Sequence, residues 1–202
     1  LKLSNKDPCK DYLSDKEYLL HMIPHHQVAV DISYQLQKTS NNPIIHDILR
    51  KIIWVQNREI AMMKDVLKNL PENISDLGRM KHIYINTISD FTKSAVDVNA
   101  ECKSEFFNPD EHKRHIKHMN LNEKMYLEHM IPHHQVAVDM SKRLLKHTNN
   151  DFMITFAYRI IRSQQEEISY MNNLLLNMKG WSWDSTCLSY TSDAADDRGC
   201  VD

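Results

Sequence analysis

The stretch HMIPHHQVAVD runs from His21 to Asp31 and returns without a substitution from His129 to Asp139. Two identical copies 108 residues apart mark a duplicated unit. The correspondence continues outside the string at the same offset. Tyr18 answers Tyr126, Ser33 answers Ser141, and Ile52-Ile53 answers Ile160-Ile161. Gln56, Glu59, Ile60 and Met63 answer Gln164, Glu167, Ile168 and Met171, with no gap in the span. Each unit therefore reads HMIPHHQVAVD, a variable stretch, then Q-x-x-E-I-x-x-M. A period this long in two copies excludes a solenoid, whose repeats are short and stack in series.

Both parts of the unit have helical spacing. Ser14 followed by Glu17 is a capping box. From there Leu19, Met22, Ile23, His26, Val30 and Ser33 or Tyr34 share a helical face towards Lys38. Asn41-Asn42-Pro43 ends one helix and opens the next, since proline is favoured at the first helical position. Ile44, Ile45, Ile48, Leu49, Ile52, Ile53, Gln56, Ile60, Met63 and Leu67 stripe the second helix, which ends near Leu70-Pro71. In the second unit Asn122 caps a helix to about His147, and Asn149–Asp151 opens one to about Met178, with Gly180 as a stop. Each unit is thus a helical hairpin. Two amphipathic hairpins bury their stripes best against each other, which predicts an all-α four-helix bundle.

One domain spans 14–180: a hairpin at 14–71, a crossover at 72–120 and a hairpin at 121–180. Residues 1–13 form an N-terminal extension. Within the crossover, Ile74 to Val98 has helical spacing and is expected to pack across the bundle, while 106–120 is polar and loop-like. Pro24 and Pro132 lie inside the first helix of each unit. Each removes a backbone hydrogen bond, at Leu20 and Glu128, for about 3 kcal/mol in an ordinary helix. The resulting kink either aims the neighbouring histidines or lets the helices pack.

A chain of 202 residues with a formal charge of −2 is large enough for one buried core. That balance offers no electrostatic case for nucleic acid or an anionic membrane. No apolar run approaches the roughly 20 residues of a membrane span. Three glycines and six prolines suit a helical protein. The chain opens on Leu1, which reads as processing or truncation. Cys9, Cys102, Cys187 and Cys200 form no C-x-x-C pair, and a Cys9–Cys102 disulfide would favour an oxidising compartment. Asn73-Ile74-Ser75 is a glycosylation sequon, relevant only to a secreted eukaryotic product. The stretch 187–202 departs in composition from the rest and is read as a non-native or disordered tail.

The chemistry gathers in the repeated motifs. Residues four apart share a helical face, which pairs His21 with His25 and Met22 with His26. On the second helix Glu59 and Met63 are four apart, and Gln56 precedes Glu59 by three. In a hairpin with a short turn, His26 and Glu59 stand at comparable distances from the turn. The expected metal ligands are therefore Met22, His25, His26, Glu59 and Met63, and in the second unit Met130, His133, His134, Glu167 and Met171. Gln56 and Gln164 would orient ligands, and His21 and His129 are weaker candidates one face further round. Neutral imidazole with thioether is the donor set of copper, and a carboxylate either ligates or holds an imidazole N–H. Zinc and iron fit less well. The plain alternative is packing, since methionine fills cores and buried histidines are often hydrogen-bonded. Four buried imidazoles, however, all need partners. His112, His115 and His118 sit among lysines and an arginine that repel cations, so they read as a solvated face.

The paired M-I-P-H-H-Q and Q-x-x-E-I-x-x-M elements over about 14–180 resemble a ferritin-like family catalogued as a domain of unknown function. Its studied members include periplasmic copper-binding proteins linked to copper tolerance. The resemblance implies a ferritin-like bundle, export, and copper held through Met22, His25, His26 and Met63 and through Met130, His133, His134 and Met171. Members often have a methionine-rich crossover, whereas this one carries Met80 and Met119, which argues against high capacity.

The leading expectation is a metal-binding protein that sequesters copper or hands it to an exchange partner, without turnover. Its partners would be the metal ion and a metal-exchange protein or a second copy of the chain, with no nucleic acid and no membrane span. A ferritin-like di-metal oxidase is the rival, but it needs Glu-x-x-His motifs absent from both units. A third reading is a structural or partner-binding bundle with pH-sensing histidines.

Overall fold

In a computed structural model the described residues are Cys9, 12–70 and 121–178. They form four helices: α1 (Asp15–Gln37), α2 (Pro43–Asn69), α3 (Glu123–Leu144) and α4 (Asp151–Met178). α1 packs on α2, α3 packs on α4, and the two hairpins meet through α1 and α3. The expected four-helix bundle of duplicated hairpins is the observed one. No strand occurs among the described residues. The expected crossover helix at 74–98, the loop at 106–120, the histidines at 112, 115 and 118, the sequon and the tail lie outside the described residues.

Each helix starts where its cap residue dictates. The Ser14 amide donates to Glu17 Oε2 at 2.9 Å and Ser14 Oγ accepts from the Glu17 amide at 3.3 Å, the reciprocal pair of a capping box. Asn42 Oδ1 accepts from the Ile44 amide at 3.0 Å, with Pro43 in the first turn. Asn122 Oδ1 accepts from Met125 at 2.9 Å, and Asn150 Oδ1 from Phe152 at 3.0 Å. α1 and α3 run on past Pro24 and Pro132. The third helix ends at Leu144, earlier than its periodicity predicts. The amides of Lys146 and His147 bond three residues back, to Arg143 and Leu144, so the chain tightens into a turn. The His147 ring reaches the Leu13 carbonyl at 2.6 Å and anchors this turn to the start of α1.

Two buried hydrogen bonds fix the packing of one hairpin on the other. Tyr18, early in α1, meets Ser141, late in α3, at 2.7 Å. Ser33, late in α1, meets Tyr126, early in α3, also at 2.7 Å. The two helices therefore run antiparallel, and the 108-residue offset exchanges one bond with the other. An approximate twofold axis passes between the hairpins. Ser33 Oγ also donates to the Ala29 carbonyl at 2.7 Å, so it accepts the Tyr126 proton. The turns obey the same symmetry. Glu123 accepts from Ser40 Oγ at 2.6 Å and Asn42 Nδ2 at 3.2 Å, and its counterpart Asp15 bonds Thr148.

Burial pushes both phenols well above the ordinary tyrosine range, against the smaller pull of their serine partners. The sign follows from linkage. A raised folded value favours the neutral form, so this contribution is complete below the unfolded tyrosine value and fades above it. Stability is expected to fall as pH rises beyond about 10, the unfolded tyrosine value. Tyr18→Phe and Tyr126→Phe should each cost about 1 kcal/mol by removing one buried hydrogen bond. Urea titrations between pH 8 and 11 check both. An unchanged midpoint in either variant would remove these bonds from the account.

Candidate metal centre

The axis between the hairpins runs through the repeated histidines. His25 and His133 stack face to face across it, with ring centroids 3.7 Å apart and planes 20° from parallel. On either side, the His26 and His134 rings lie 6.1 Å from the His25 and His133 rings. His26 Nε2 is 3.0 Å from Glu59 Oε2, and His134 Nε2 is 2.8 Å from Glu167 Oε2. A carboxylate only accepts, so each Nε2 carries the proton and donates it. That tautomer leaves Nδ1 with its lone pair. In both His26 and His134, Nδ1 is buried and has no hydrogen-bond partner.

The surroundings are buried. Met22, Met63, Met130 and Met171 are fully buried in one continuous core, and Glu59 and Glu167 are 2 % and 3 % exposed. The amide groups of Gln56 and Gln164 are also buried without hydrogen-bond partners, as is Glu59 Oε1. A native interior seldom strands so many polar atoms, since each costs about 1–3 kcal/mol. The lone-pair atoms among them, His26 and His134 Nδ1 with Gln56 and Gln164 Oε1, repeat in both halves and are acceptors of the kind a cation satisfies. His21 is buried and His129 half-buried, its ring 6.1 Å from His133.

The expected pairings are met within each hairpin at His26–Glu59 and His134–Glu167. His25 and His133 behave differently from a single-hairpin picture, because they turn to each other across the axis. Among the described residues no group of three or more His, Cys, Asp or Glu side chains is placed to hold a metal by itself. The same core holds the sulfurs of Met22, Met63, Met130 and Met171 beside the imidazole nitrogens as further donors.

One neighbour was not foreseen from the sequence. The Lys51 ammonium on α2 stands 3.5 Å from Glu167 Oε1 on α4. Burial pushes the Glu167 carboxyl up, but the hydrogen bond from His134 and the ammonium of Lys51 outweigh it. The group is held below the ordinary glutamate value. A depressed carboxyl contributes stability that is full above its unfolded value and lost as pH falls through its folded one. The wild type is therefore expected to lose stability below about pH 4.5, the unfolded value. Glu167→Gln should lose less over the same interval in acid urea titrations; parallel curves would refute the shift.

Cys9 is disulfide-bonded, and every other cysteine lies outside the described residues. No described helix is long and apolar enough to cross a membrane.

Residues 15–175 match the family described as Domain of unknown function (DUF305). The fold resembles CopM in its Cu(I)-bound form, with a TM-score of 0.56 and 25 % identity over 82 % of this chain and 98 % of that one. Against CopM in its Cu(II)-bound form the TM-score is 0.58 at 24 % identity, over 83 % of this chain and 99 % of that one. A DUF305 protein of Streptomyces coelicolor described as secreted shares the fold, at a TM-score of 0.57 and 22 % identity over 82 % and 94 % of the two chains. An uncharacterised protein of Acanthamoeba polyphaga mimivirus is 44 % identical over 55 residues, 27 % of this chain and 36 % of that protein. The match therefore spans little more than a third of that curated relative.

Proposed function

The chain belongs to the DUF305 family, and on that footing we propose that it binds copper, chiefly Cu(I), to sequester or transfer it. The ligands are Met22, His25, His26 and Met63 in one half and Met130, His133, His134 and Met171 in the other, with Glu59 and Glu167 each behind its histidine. The observation that carries this reading is the buried Nδ1 of His26 and of His134, left with its lone pair by a carboxylate that takes the opposite N–H. Holding Nε2–H fixes the ring orientation and raises the basicity of Nδ1, the usual service of a carboxylate behind a metal-ligating histidine. Thioether sulfur adds preference for the monovalent ion. The two carboxylates offset the charge brought into a low-dielectric core. The copper-bound CopM structures, at 24–25 % identity, support the choice of metal.

We also propose that the protein works in an exported, oxidising compartment. The disulfide at Cys9 and the secreted Streptomyces relative support that. Turnover is not part of the proposal, because neither unit supplies the Glu-x-x-His motif of a di-metal oxidase. Fe(II) should therefore produce no oxygen uptake beyond its rate in buffer.

Titration of untagged protein with Cu(I) against a competing chelator, beside Zn(II), tests the assignment. The expected result is tight Cu(I) uptake, two equivalents per chain, with Zn(II) bound far more weakly. Ligating imidazoles must be neutral, so Cu(I) affinity should fall as pH drops below about 6, by up to about tenfold per unit for each imidazole. Affinity that holds constant to pH 4 would rule imidazole out of the site.

A further inference from the structure

We propose that Lys51 makes the two halves of the centre unequal, so that the Glu59 half takes the first ion and the Glu167 half the second. The inference rests on the metal-binding reading above and extends it to the order of loading.

The ligand residues repeat without change, so their chemistry gives no reason for one half to differ from the other. The charge standing over the carboxylates does not repeat. Lys51 Nζ lies 3.5 Å from Glu167 Oε1. At the repeat offset its counterpart is Arg159, which would serve Glu59. Arg159 instead directs Nη1 to Met62 Sδ at 3.8 Å. Among the described residues no lysine or arginine pairs with Glu59, whose only ion-pair partner is His26.

A carboxylate that shares its charge with an ammonium has less to offer an incoming cation, and the ammonium itself repels that cation. Both effects fall on the Glu167 half. Lys51 is half exposed, at 50 %, so solvent screens much of its field. The expected gap is therefore about tenfold in affinity rather than several orders of magnitude. Lys51 acts through Glu167, as a residue that sets relative affinity without touching the ion.

The test is a Cu(I) competition titration of the whole chain, with the histidine ring protons followed by NMR. The wild type should take two equivalents about tenfold apart in affinity, His26 responding first and His134 last. Lys51→Gln should tighten the second step until the two are nearly equal, while Arg159→Gln should keep the wild-type gap. Both residues are exposed, so neither variant removes core packing, and unchanged helical circular dichroism checks that. Four outcomes would overturn the inference and leave copper binding intact: equal affinities in the wild type, one ion shared by both halves, His134 responding first, or a gap surviving in Lys51→Gln. Absence of tight Cu(I) binding by the wild type would overturn the proposed function and this inference with it.

Discussion

The double variant His26→Gln/His134→Gln is expected to retain its helices and bind no Cu(I) tightly, while each single variant loses one equivalent of two. Glutamine is the informative replacement, because the bond to the carboxylate must be separated from ligation. His26 donates Nε2–H to a glutamate that is 2 % exposed, and His134 does the same for Glu167. Alanine would leave a buried carboxylate without that donor, at a cost of about 3–5 kcal/mol. A variant that fails to fold says nothing about metal. A glutamine side chain offers an amide N–H to the glutamate but no nitrogen lone pair suited to Cu(I). Unfolding by urea should then shift by about 1–2 kcal/mol for Gln and several for Ala. Copper stoichiometry should fall alike in both replacements. Two equivalents retained in both single Gln variants would take these imidazoles out of the centre.

The duplication made much of this molecule readable in advance. It set the boundaries of both hairpins, because Ser14, Asn42 and Asn122 each stand where a helix has to begin. It also placed His26 opposite Glu59, since both are about equally far from the short turn at residues 38–42. Distance from a turn fixes which residues are level along a hairpin. It does not fix how one hairpin is rotated against the other. For that reason the His25–His133 stack lay beyond a reading that treated each unit alone. A usable signal was nonetheless present. Tyr and Ser recur in both copies 15 residues apart, about four helical turns, on the buried side of the helix. Paired polar groups kept on a buried face in both copies have to satisfy each other, and only an antiparallel twofold packing lets Tyr18 find Ser141 while Tyr126 finds Ser33. Lys51 had no such signal. It lies in the variable stretch, and its reach to Glu167 depends on the side-by-side placement of α2 and α4. The early end of α3 depended on the His147–Leu13 contact, which is distant in sequence and invisible to periodicity.

Replacing Met22, Met63, Met130 and Met171 together by leucine should weaken Cu(I) binding on the order of 100-fold and leave Zn(II) binding nearly unchanged. The four sulfurs lie in the buried core, where methionine is ordinarily read as packing. Packing and ligation make opposite demands on the same substitution. Leucine is close to methionine in volume, and a single exchange of this kind usually costs less than about 1.5 kcal/mol. If the sulfurs only fill space, the variant should have a modestly shifted unfolding midpoint and wild-type affinity for Cu(I). If they ligate, stability should move little and Cu(I) affinity should collapse. Loss of an orienting contact alone costs metal sites about 10–100-fold, so loss of a direct soft donor belongs at the upper end of that range or beyond. Zn(II), a borderline ion satisfied by nitrogen and oxygen, supplies the internal control. A parallel loss of both metals would mean that the leucines had displaced the imidazoles instead of removing a ligand. Unaltered Cu(I) affinity would return all four methionines to the core and leave the histidines to hold the ion alone.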